Sequence, residues 1–366
     1  MALFALGFRP FYLVAGLYAA LALPIYAAQY AGWLPGVNPL WHAHEMLFGY
    51  AFAVIAGFLF TAVRNWTGRD TPTGAALGGI AGLWLAARLV APWSLPAAAA
   101  LNFFFALAVA YGIGVPLVAS GNRRNLFLVG LVLLLGAAGV AFNAWPAVAL
   151  RLGLDVVLLI MAVIAGRVIP MFTNNAVPGA GAGRRAWLEG GALAAIPLLA
   201  VLDQVAPGPA AGALALVAAL LHGARLALWR PWKTFGKPLL WILHVAYAWI
   251  VVHLALRGLA GFGLAAGTLA THALTAGAIG ALTLGMMTRT ARGHTGRTLD
   301  AGPAELAAYL LVVAAGVVRA VVPLVLPDAY LACVVLAAAL WCAAFTVFVA
   351  AYLPILAGPR LDGRPG

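Results

Sequence analysis

Seven histidines stand in a chain of 366 residues that has only nine acidic ones. The densest group is Trp41-His42-Ala43-His44-Glu45-Met46. Neutral imidazoles are ligands for haem iron and for copper, and a nearby carboxylate orients such a ligand by accepting its second N–H. On a regular helix His42 and His44 point about 200° apart, so they cannot reach one metal from its interior. His42 and Glu45, three apart, share a face. Either the helix is irregular after Pro39 or the two histidines serve different centres, unless the group is a plain interfacial His–Glu hydrogen bond.

Other candidates are scattered. His244 follows Lys237 by 7 positions and His222 precedes Arg230 by 8, which places both about 10–12 Å from one face of a membrane. They read as a second centre, as part of a proton relay, or as core histidines with hydrogen-bond partners. His253 is placed near an outer helix end, and His294 falls in Arg292-Gly293-His294-Thr295-Gly296-Arg297, read as a solvated loop. Arg88 and Arg319 lie near the outer ends of their segments, where they can pair with the propionates of a haem or simply snorkel to the interface. Asp155 is a candidate hydrogen-bond acceptor for a ligand histidine or a proton carrier. Arg167 with Pro170 is expected to shape a helix break. Cys333 and Cys342 read as inert buried thiols, and no nucleophile motif, phosphate loop or nucleotide fingerprint is present.

The elements that must position these residues are membrane helices. With 65% hydrophobic and 8% charged residues and a mean hydropathy of +1.03, the chain cannot cover a water-soluble particle. The net charge of +12 is spread between apolar runs, which excludes a nucleic-acid-binding patch. The expected fold is an all-α polytopic domain over residues 1–366. A span needs about 20 apolar residues, and twelve runs offer them: 10–32, 41–63, 75–93, 97–119, 125–145, 151–171, 187–205, 209–229, 238–256, 264–288, 303–325 and 329–354. Pro35-Gly36, Asn38-Pro39, Ser120-Gly121-Asn122, Pro178-Gly179 and Pro207-Gly208-Pro209 punctuate the runs. Fifteen of the 21 basic residues, from Arg9 through Arg64, Arg123, Arg184, Lys233 and Arg292 to Arg364, fall on one side of this arrangement. The positive-inside rule therefore puts both termini in the cytoplasm.

An internal repeat sharpens the picture. A shift of 228 positions aligns His44 to Arg69 with His272 to Arg297, with identities at His44/His272, Gly49/Gly277, Ala53/Ala281, Gly57/Gly285, Arg64/Arg292, Thr67/Thr295, Gly68/Gly296 and Arg69/Arg297. Arg9-Pro10 falls on Lys237-Pro238, so spans 1 and 2 correspond to spans 9 and 10. Each histidine precedes its arginine by 20 residues, roughly 30 Å of helix, which sets His44 and His272 at equal depth near the outer face. The shared small-residue stripe serves close helix packing or a flat cofactor lying on the backbone.

These stretches resemble a known family. Gly7-Phe8-Arg9-Pro10-Phe11, Trp41 to Gly49, Asn65-Trp66-Thr67-Gly68, Gly166 to Asn175 and His272 to Arg297 are similar to the NnrS family, polytopic membrane proteins with haem and copper tied to bacterial tolerance of nitric oxide. The resemblance implies haem b and copper, with His42, His44 and His272 as leading ligands and His244 next, in a bacterial cytoplasmic (inner) membrane protein. His44 and His272 are then expected to hold one haem from spans 2 and 10. His42 is left for copper, with Glu45 as ligand, orienting acceptor or catalytic acid–base group. Haem–copper oxidases also use twelve spans and histidines on spans 2 and 10, an analogy of fold only.

Three functions follow as expectations. One is a nitric oxide reductase that makes N2O at a metal; the second is a sensor or scavenger that binds nitric oxide without turnover; the third is a transporter. Nitric oxide partitions into the lipid bilayer unaided, and nothing in the sequence names an electron donor.

Overall fold

The computed structural model describes residues 2–35 and 39–364. Gly36 and Asn38 of the first expected break lie outside them. Twelve long helices carry the chain: α1 Phe8–Tyr30, α2 Leu40–Thr67, α3 Gly74–Val90, α4 Leu95–Ala119, α5 Arg123–Ala141, α6 Pro146–Ala176, α7 Ala186–Val205, α8 Pro209–Lys233, α9 Pro238–Gly261, α10 Gly267–His294, α11 Pro303–Val325 and α12 Pro327–Ala357. Eleven are long and apolar enough to cross a membrane, and α3 has 17 residues, about 25 Å of helix. The protein is thus an all-α, multi-pass membrane protein.

The contacts divide the chain into two compact units, Met1–Val157 with Met287–Leu299 and Phe348–Gly366, and Leu158–Met286 with Asp300–Val347. The repeat relates an element of one to an element of the other. In α2 the winding changes from α to π over Glu45–Ala51, and in α10 over Ala273–Ile279. These bounds are offset by the same 228 positions as the identities. π-turns are rare and concentrate at functional sites, so two at matching positions mark the level of His44 and His272, each the residue before its π segment.

The shared Thr-Gly ending is a helix stop. Thr67 and Thr295 each return a hydroxyl to the carbonyl four residues back, Val63 at 2.7 Å and Ala291 at 2.6 Å. Gly68 and Gly296 follow in the left-handed conformation, with φ of 63° and 74°, where a side chain would be strained. The small-residue stripe is packing. A Cβ on Gly57 would meet Phe11 Cβ of α1 at 2.8 Å, and one on Gly285 would meet Ile242 and Leu243 of α9 at 2.9 Å.

One expectation about local structure fails. Pro170 does not break its helix, since α6 is continuous over 31 residues. The carbonyl four before a proline loses its helical donor, and that carbonyl, Gly166 O, faces Arg184 Nη1 at 3.5 Å. Arg9, at the start of the first span, lies fully buried in the first turn of α1. Its guanidinium donates to Leu356 O at 2.9 Å and Gly358 O at 2.7 Å, taking up carbonyls that the end of α12 leaves unpaired.

Candidate functional site

In the first unit the start of α2, the end of α3 and the middle of α1 and α4 build a buried polar cluster. His44 and Glu45 are both fully buried. Adjacent residues on an α-helix point about 100° apart, but here, where winding changes to π, His44 Nδ1 lies 2.7 Å from Glu45 Oε1. Glu45 Oε2 is 2.5 Å from Arg88 Nε and accepts from the Tyr18 hydroxyl at 2.6 Å. Arg88 Nη2 in turn donates to Asn102 Oδ1 at 2.8 Å. The Trp84 indole N–H donates to Gly49 O at 3.0 Å, and the Arg88 guanidinium lies 5.2 Å from the Trp84 ring. Gly49 allows this approach, because a Cβ there would come within 3.0 Å of Arg88 Nη1.

This arrangement fixes the state of His44. A carboxylate paired with Arg88 accepts only, so Nδ1 carries the proton given to Glu45 and Nε2 carries the lone pair. Nε2 is buried without a hydrogen-bond partner, and the ring is flanked by Phe48 and Phe142 with centroids at 5.3 and 5.5 Å. An imidazole oriented by a carboxylate, with its other nitrogen bare in an apolar wall, is the form in which histidine ligates a metal. A buried acceptor left unpaired is costly, and a ligand at Nε2 removes that cost. Glu45 serves His44, not His42. The pairing expected from three-residue spacing is replaced by one between neighbours, and His42 instead stacks on Tyr26 at 3.9 Å and 15°.

The second unit holds the remaining histidines of interest. His244 Nε2 lies 3.0 Å from Thr173 Oγ1, whose proton goes to Ile169 O at 2.9 Å. Nε2 is then the donor, and Nδ1 holds a buried lone pair without a partner. His253 donates from Nδ1 to Ala270 O at 2.8 Å and keeps an unpartnered, buried Nε2. His272 gives its Nδ1 proton to Thr268 O at 2.7 Å. His222 does not join His244 in a site. Its two nitrogens meet Tyr247 Oη at 2.6 Å and Ala192 O at 3.0 Å, so it is a core histidine with both positions satisfied. In the first unit, His294 ends α10 half-buried, with its ring 5.8 Å from that of Phe8, and is not a solvated loop residue.

Among the described residues no three His, Cys, Asp or Glu side chains converge as a ready-made metal cage. His44 Nε2, His244 Nδ1 and His253 Nε2 are buried lone pairs without a hydrogen-bond partner, the kind of nitrogen that can ligate a metal. Arg88 is committed to Glu45, while Arg319 donates from Nη2 to the Tyr330 hydroxyl at 2.9 Å. Asp155 is buried in α6.

The NnrS family profile matches residues 2–360. The chain belongs to the NnrS family. Membership makes it a membrane protein connected with the nitric oxide response. No curated protein matches the chain. The NnrS match spans both units, so the π-turn level of each lies inside it.

Sequence reasoning missed Tyr18 and Asn102, which belong to distant helices and carry no local signal. It also missed a buried polar cluster in the second unit. There Arg225, fully buried, grips Glu189 with two bonds of 3.0 and 2.8 Å, gives Nη1 to Tyr247 Oη, and has Nη2 3.3 Å from Ala162 O. A buried arginine in a chain with nine acids signals that one acid must be near it, but not which.

Proposed function

We propose that this NnrS protein binds haem b and copper and uses them to bind nitric oxide, and to reduce it to N2O, in the bacterial cytoplasmic membrane. The observation that carries the reading is the state of His44, a buried imidazole whose proton is held by Glu45 and whose Nε2 is bare. His44 and, by the repeat, His272 are the proposed haem ligands, with His42 and His244 as further metal-binding candidates. A bound metal supplies the redox centre at which nitric oxide is held. Glu45 orients His44, and its carboxylate is the proposed place for a proton delivered to that centre. Arg88 pairs with the carboxylate, and Tyr18 offers it a hydroxyl for exchange.

Reduction of two nitric oxide molecules to N2O and water consumes two protons and two electrons. The proposed pathway for protons runs through Glu45; the electrons come from a separate donor. The experiment that separates turnover from binding is exposure of the purified, reduced protein to nitric oxide, with absorption spectra and gas chromatography of the headspace. A metal-nitrosyl spectrum with catalytic N2O supports the reductase. The same spectrum with no N2O supports a sensor or scavenger, and no metal and no nitrosyl leave a transporter.

A further inference from the structure

An arginine stands in the last turn of α3, Arg88, and another in the last turn of the regular helix Pro303–Ala320 that opens α11, Arg319, and the two are neutralised differently. By the 228-residue shift, Glu45 corresponds to Ala273 and Arg88 to Gly316. In the first unit these positions hold the buried ion pair; in the second neither carries a charge, and a Cβ on Gly316 would sit 3.0 Å from the Cα of Gly277, the counterpart of Gly49. The arginine of the second unit stands one turn further on, at Arg319, with 7% of its surface exposed. Its polar contact is the Tyr330 hydroxyl, its guanidinium lies 5.0 Å from the Tyr330 ring, and Nη1 is buried without a partner. Among the described residues no carboxylate pairs with it.

A guanidinium cannot be neutralised by losing its proton, and a buried charge without a counter-ion is costly in a protein interior. The carbonyl end of the regular helix Pro303–Ala320 offsets part of this, equivalent to about half a charge at most. Arginine presents donors in a fork that matches the oxygens of a carboxylate or phosphate. We infer that Arg319, with Tyr330 beside it, is the binding site for one anionic oxygen group that the chain does not itself provide, and that Arg88 is not. The group is the carboxylate of a bound cofactor or the phosphate of a lipid headgroup. The cofactor source rests on the function proposed above; the anion site does not.

The test uses the full-length protein, stripped of lipid and cofactor and placed in nanodiscs of zwitterionic lipid. Haem b and its dimethyl ester, in which the carboxylates are blocked, are titrated in parallel. Wild type is expected to prefer the free acid by about tenfold or more, the size of one charge-assisted hydrogen bond. R319M should bind acid and ester equally, and R319K should keep part of the preference. If wild type binds neither porphyrin, the proposed function fails and the lipid arm decides the site. Native mass spectrometry should then show one phosphatidylglycerol retained by wild type and R319K but lost from R319M. A second readout does not depend on any ligand: apo R319M should melt no lower than apo wild type, because an uncompensated charge has been removed. R88M should melt lower, because it strands Glu45. The inference is overturned if R319M leaves both the acid–ester preference and the lipid retention unchanged, or if apo R319M melts as far below wild type as R88M does.

Discussion

His44 and Glu45 are neighbours in sequence and partners in space, with Nδ1 2.7 Å from Oε1 inside a fully buried pocket. It occurs where the winding changes from α to π at Glu45, and it holds the histidine in one tautomer with Nε2 bare. Most of what the first unit can do chemically depends on that one contact.

Glu45→Gln should therefore weaken metal or haem binding about 10- to 100-fold, the usual effect of losing a carboxylate that orients a ligand histidine. Glu45→Ala should in addition lower stability by about 3–5 kcal/mol, since it strands Arg88 as a buried charge. Haem titration followed by thermal unfolding in detergent separates the two effects. Equal binding by E45Q and wild type would show that Glu45 does not orient the ligand.

Gly49→Ala brings a methyl group to 3.0 Å from Arg88 Nη1. A destabilisation of about 1–3 kcal/mol is expected from overpacking, together with reduced haem content as Arg88 and Glu45 shift. Gly79→Ala in α3, which meets nothing within 4 Å, should be neutral in the same melts.

In the second unit the Arg225 cluster ties α6, α7, α8 and α9 together through Ala162, Glu189, His222 and Tyr247. Tyr247→Phe removes the hydroxyl that Arg225 and His222 share, leaving two buried polar atoms short of a partner at about 1–3 kcal/mol. The unfolding midpoint should fall, while the haem to protein ratio of the folded fraction should stay at the wild-type value. Loss of haem from folded Y247F would place this cluster in the cofactor site.

The alternation of basic residues carries a topological prediction. Reporter fusions at Arg123 and Arg257 should report the cytoplasm and the opposite side respectively. The same side for both would contradict the twelve-helix arrangement of loops.

Much of this architecture was legible in the sequence because its signals are local or repeated. Helix number follows from apolar run length. The matched Thr67/Thr295 and Gly68/Gly296 reflect hydroxyl back-bonds and left-handed stops that any copy of this helix end needs. The site was half legible. A dense His-Glu motif drew attention to residues that form a buried pair, but regular α spacing put Glu45 on the face of His42, because hydrophobic periodicity gives no sign of a π-turn. Tyr18 and Asn102 reach the site from α1 and α4, and only tertiary packing reveals them. Pro170 misled for the opposite reason: the donor facing its orphaned carbonyl comes from Arg184, beyond the end of the helix.

The most direct measurement is the absorption spectrum and metal content of the purified protein, wild type against His44→Ala and His222→Ala. Wild type should carry haem; H44A should lose it or show an altered ligand spectrum, and H222A should keep it, because both His222 nitrogens already have partners. A wild-type spectrum and metal content in H44A would contradict the assignment of Nε2 as a ligand.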